Sequence, residues 1–125
     1  MIKPYLKVEI ADTPYKLQKG LMFRDKLGAD DGMLFKFRHP QNLRFWGLNT
    51  YIPLSIAFVS PDNVIQKISY ISPLSTSAVV SDVDCNMAIE ANCDFFTRHR
   101  IKEGQKVRIV EEDGVTFISF EDYEE

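Results

Sequence analysis

Residues 5–11, YLKVEIA, alternate apolar and polar side chains, the period-two pattern of a strand with one buried face. The pattern breaks at DTPYKLQKGL, where Asp12 or Thr13 can cap a short helix, Pro14 suits its first turn and Gly20 its end. Three segments rich in aromatic and β-branched residues follow, GMLFKF from Gly32, LRFWGL from Leu43 and PLSIAFVS from Pro53, each predicted as a strand. SPDNV reads as a hairpin turn into VIQKISYIS, and the polar run LSTSAVVSDVDC reads as a loop over one end of the sheet. NMAIEAN is predicted as a strand and CDFFTRHRI as a short helix with Phe95, Phe96 and Ile101 turned inward. KEGQKVRIVEEDGVTFISFE closes the chain as a hairpin around Asp113-Gly114.

The sum is about eight strands and two short helices, evenly spaced and without βαβ units or repeats, the pattern of a sandwich or barrel. The fold class is therefore mainly β. At 125 residues the chain is expected to be one domain, 1–125, and a hydrophobic fraction of 45% supplies a core without disulfide or metal staples. Cys85 and Cys93 bracket one predicted strand, which holds them more than about 20 Å apart, too far for a disulfide. They are expected to be free thiols. No Cys/His cluster supports zinc, and neither a metal nor another cofactor is expected.

Charge changes the picture in one respect. Residues 1–50 carry a net +4 and residues 51–125 a net −7, so the first half suits an anionic partner while the acidic closing hairpin and tail, 121–125, disfavour nucleic acid. The N-terminus MIKPYLKVEIAD has no apolar run, so neither a signal peptide nor a membrane span is read there. The expected compartment is the cytoplasm, or the periplasm or exterior if a leader is removed.

Several segments together resemble a prokaryotic family known as domain of unknown function 192. They are VEIADTPYKLQKGLMFR, DDGMLF, FWGLNTYIPLSIAFVS, Pro73, MAIEAN and RIKEGQKVRI, spanning about residues 5–110. The resemblance implies a compact β-barrel or jelly-roll-like sandwich; it implies no reaction. The chain departs from the family pattern at Gly47 and Leu48, where a Met and a basic residue are usual, and at Ser55, where an Asp is usual. Cys93-Asp94 stands where a Gly is usual, and Gln105 where an Asp is usual.

Within this frame a few residues can carry chemistry. Arg24 ends the GLMFR segment and Glu90 sits in an otherwise apolar strand, so a partly buried Arg24–Glu90 ion pair is expected, a carboxylate there being costly unless paired. Arg24 can instead line a cleft. Asn49 and Thr50 precede Pro53, where a turn role competes with a ligand role. Trp46 or Phe45 offers a flat wall, and the small Gly47 is expected to open a cleft beside it. Met22, Met33, Leu34 and Phe35 read as core.

Three functions compete. The leading one is a non-enzymatic binding module whose cleft, lined by Arg24, Trp46, Asn49 and Thr50, takes a small molecule, a glycan or a peptide end. The second is a hydrolase using Glu90 or Asp94 as general base, which would call for a second facing carboxyl. The third is a protein-docking module presenting an exposed edge strand at residues 115–120 of the acidic hairpin.

Overall fold

The computed structural model of the protein describes residues 4–121. It contains strands β1 (Tyr5–Ala11), β2 (Asp31–Phe45), β3 (Leu54–Val59), β4 (Ile65–Ile71), β5 (Val79–Asn92), β6 (Lys106–Glu112) and β7 (Val115–Glu121), with helices α1 (Pro14–Lys19) and α2 (Phe95–Arg98). The seven strands form one sheet in the order β4-β3-β5-β2-β1-β7-β6. The sheet curls until its two edges touch: Val64 bridges Lys106, and Ile65 N–H donates to the Gln105 carbonyl at 2.9 Å. The mainly β class with two short helices is as read from the sequence.

The opening element follows its local code. Thr13 caps α1 by accepting from Lys16 N–H, Pro14 opens the first turn, and Gly20 ends it with a positive φ of 49°. β1 and β2 then pair in parallel, with α1 in the connection. This βαβ-like crossover departs from the sequence reading, which marks the helix from its cap and stop but carries no signal for which flanking strands pair. Two predicted strands, GMLFKF and LRFWGL, are the halves of β2, which stays paired with β5 across register shifts between Lys36 and Gln41 and between Asn42 and Arg44. The polar run before NMAIEAN also belongs to β5 from Val79 onward rather than to a loop.

Alternation along the strands divides the interior in two. Leu6, Val8, Leu34, Ala57, Ile89 and Ala91 face one core that α2 caps with Phe95 and Phe96. Ala11, Met33, Phe35, Leu54, Ile56, Phe58 and Ala88 face the other, beside Leu21 and Ile52. Phe95, Phe96 and Ile101 are buried as anticipated. At the closing turn Asp113 and Gly114 both adopt left-handed φ, 53° and 78°, the geometry a tight hairpin requires.

The expected docking edge at 115–120 is corrected by the strand order. β7 lies between β1 and β6 with both sides hydrogen-bonded, so it has no free edge to offer. Most of the acidic tail lies outside the described residues.

Candidate functional site

Glu90 occupies the centre of β5, between β2 and β3. Its register partners are Met33 on one side and Ile56 on the other, and Met33 in turn faces Glu9 on β1. Glu9, Met33, Glu90 and Ile56 thus form one row across the sheet, on the face that carries the second core. Both immediate neighbours of Glu90 are apolar. The residue is only 4% exposed, and among the described residues its carboxyl has neither an ion-pair nor a hydrogen-bond partner. Desolvation alone pushes its pKa up to about 8, so the carboxyl is largely neutral at neutral pH.

The expected Arg24–Glu90 pair is therefore corrected. Arg24 reaches Glu9 instead, through Nη1–Oε2 at 2.5 Å and Nη2–Oε1 at 2.8 Å, a two-point bond that holds the Glu9 carboxyl below its usual range. The sequence reading leaves Glu9 out as a partner, because one sequence does not show that it lies beside Arg24. The sheet chooses: Arg24 follows α1, which lies in the connection from β1 to β2, and Met33 stands between Glu9 and Glu90.

Glu90 is the acidic residue lining a pocket of about 340 Å³. Phe35, Phe37, Phe45 and Trp46 wall it on the β2 side, Leu17, Gly20 and Met22 on the α1 side, and Thr50 completes the lining. The rings are interlocked: Phe45 meets Phe35 edge-on at 4.9 Å between centroids, Phe37 at 6.2 Å and Phe58 at 5.9 Å. Trp46, 48% exposed, lines the pocket while keeping about half its surface in solvent. Two exposed cations, Lys19 and Arg44, also line the pocket.

The four residues expected to share a cleft are split. Trp46 and Thr50 line this pocket, whereas Arg24 borders two neighbouring depressions with Glu9. Asn49 lines none of the pockets described here; its φ of 54° and its carbonyl, which accepts from Phe23 N–H at 2.8 Å, make it a turn residue. Thr50 is also built into that turn, its N–H bonded to Gly47 and its hydroxyl to the Leu48 carbonyl. Gly47 opens no cleft: it is buried, and a Cβ there would lie 2.1 Å from the Ser72 carbonyl oxygen. The small residue is needed because the 72–75 turn packs against it.

Asp94, the other candidate base, lies outside the pocket beside Arg98 at 3.9 Å. Ser55 donates to the Cys93 carbonyl at 2.6 Å, closing the end of β3. Cys85 is buried and Cys93 exposed, both as free thiols, and burial raises the Cys85 pKa. Among the described residues no group of three or more His, Cys, Asp or Glu is gathered to hold a metal, and no helix is long and apolar enough to cross a membrane.

Comparison with known proteins places this geometry in a family. The family model DUF192, described as an uncharacterized ACR, matches residues 3–109. A protein of unknown function from Novosphingobium aromaticivorans is 35% identical and superposes with a TM-score of 0.80 over 82% of this chain and 74% of its own. A candidate transcription regulator from Sinorhizobium meliloti is 27% identical, with a TM-score of 0.78 over 84% and 92%. No curated protein is significantly similar in sequence.

Proposed function

The chain belongs to the DUF192 family, a grouping that carries no reaction with it, and from the pocket itself we propose that the protein binds a small ligand between the rings of Phe35, Phe45 and Trp46. The observation that carries this reading is Glu90. An acid buried to 4% exposure without a partner among the described residues is costly, and an apolar side chain would fill the position without that cost. A ligand that hydrogen-bonds the carboxyl removes the penalty. A volume of about 340 Å³ fits a molecule the size of a single sugar or amino acid, flat rings offer stacking or apolar contact, and Glu90 fixes orientation. A single carboxyl in the pocket lining supports binding over acid–base chemistry, which works best with two carboxyls around one site.

A thermal-shift screen against sugars, amines, amino acids, nucleotides and short peptides tests the proposal, since a ligand that binds only the folded state raises its melting temperature. At least one class is expected to do so, with the shift reduced in Trp46→Ala. No shift from any class at millimolar concentration would refute it.

One observation favours a second reading, acid–base catalysis. Glu9 and Glu90 share a row with Met33 between them, about 10 Å apart by two strand spacings, and their acidities are pushed in opposite directions. Against it, both Glu9 oxygens are engaged by Arg24, and Glu9 borders different depressions. Turnover of model glycosides or esters that is lost in both Glu9→Gln and Glu90→Gln would favour catalysis over simple binding.

A further inference from the structure

The pocket's charges are arranged by depth. Its single acid, Glu90, is buried at the floor, while Lys19 and Arg44 are exposed at the mouth, with apolar and aromatic side chains between. Among the described residues no element packed on Glu90 pairs it with a cation: β2 supplies Met33 and Phe35, β3 supplies Ile56, and the covering segments supply Met22, Trp46 and Thr50. Lys19 leans over the Tyr15 ring at 5.8 Å, and Arg44 has no ion-pair partner among the described residues.

Accepting the pocket as a ligand site, we propose that it takes a small zwitterion with separated charges, an ω-amino acid or the side chain and carboxylate of a C-terminal lysine. The ammonium sits on Glu90 and between the rings, the aliphatic stem fills the apolar middle, and the carboxylate meets Arg44 and Lys19. Each simpler ligand leaves something unanswered. A plain anion meets the exposed cations but brings no cation to the Glu90 carboxyl, and a plain amine leaves both exposed cations without a partner. A neutral sugar engages neither cation. Aromatic faces add cation–π attraction for the buried ammonium.

Binding is linked to a proton. Burial keeps Glu90 protonated up to about pH 8, whereas an ammonium prefers the carboxylate, so association releases one proton. Below pH 8 affinity falls by up to tenfold per pH unit, giving binding about twentyfold weaker at pH 6.5 than at pH 8.5.

Isothermal titration of the full chain with 6-aminohexanoate, hexylamine, hexanoate and 6-hydroxyhexanoate at both pH values tests the proposal. The expected result is tightest binding of 6-aminohexanoate, with the stated gain at high pH. Glu90→Gln is expected to lose the preference for amines and the pH dependence together. Arg44→Ala should bring 6-aminohexanoate close to hexylamine while leaving the pH dependence in place, a readout that survives if the Glu90 variant folds poorly. Equal or tighter binding of hexanoate or 6-hydroxyhexanoate, or no pH dependence, would overturn the ligand class while leaving the pocket a binding site. No binding of these probes together with a blank thermal-shift screen would overturn the pocket as well.

Discussion

Replacing Glu90 by glutamine should make the protein more stable, and increasingly so as pH rises. An unfolded glutamate releases its proton near pH 4.5, whereas in the folded chain the buried carboxyl keeps it up to about pH 8. Between these values the folded state binds one proton more than the unfolded state, so stability falls as pH climbs. The loss is about 1.4 kcal/mol per pH unit and accumulates to about 5 kcal/mol at pH 8, after which it levels off. That is a large share of the 5–15 kcal/mol typical of a domain. Glutamine occupies nearly the same volume, stays neutral throughout and carries no such dependence. The measurement is urea denaturation of both proteins at half-unit steps from pH 5 to 9, followed by circular dichroism. Groups that titrate equally in the two proteins cancel in the difference. The variant and the wild type should agree within about 1 kcal/mol at pH 5 and diverge by several kcal/mol by pH 8.5. A difference that stays flat across the range would show that Glu90 ionises normally, and the argument from its burial would fail.

Three smaller predictions follow from the same structure. Arg24→Ala should cost no more than about 1 kcal/mol at pH 7, because the Glu9 bond is largely exposed; since Arg24 lowers the Glu9 pKa, that contribution should vanish as pH falls through the carboxylate range in the same denaturation assay. Gly47→Ala places a methyl 2.1 Å from the Ser72 carbonyl oxygen and should lower stability by about 1–3 kcal/mol, visible as a reduced melting temperature. A thiol reagent should modify one cysteine in the folded protein, the exposed Cys93, and reach the buried Cys85 only after denaturant is added, with mass spectrometry identifying each site.

What the sequence disclosed and what it hid divide along physical lines. Local code was readable: Thr13, Pro14 and Gly20 frame α1, Asp113-Gly114 forms the final turn, and the inward Phe95, Phe96 and Ile101 follow from their pattern. Non-local pairing was not. The parallel β1–β2 contact, the continuity of β2 through Pro40 and the internal place of β7 depend on register between distant segments, for which one sequence carries no signal. The site shows the same split. Trp46 and Thr50, candidates from the aromatic and polar character of their segment, do line the pocket. Arg24 was assigned to the wrong glutamate because Glu9 and Glu90 are indistinguishable until the sheet order is known. Lys19 and Arg44 were missed, each looking like an ordinary surface charge; only the strand alternation of Ala88 and Glu90 against Ile89 hinted that Glu90 shares a face with the aromatic residues of β2.

The central claim is that the Glu90 pocket is where a ligand sits. Amide and side-chain chemical shifts, followed by NMR during titration with the strongest ligand from the thermal-shift screen, test it most directly. The account predicts that the perturbed signals converge on the Trp46 indole N–H, Thr50, Phe45, Met22 and the Glu90 carboxyl. Shifts gathered instead around Arg24 and Glu9, or scattered over the surface without saturation, would contradict it.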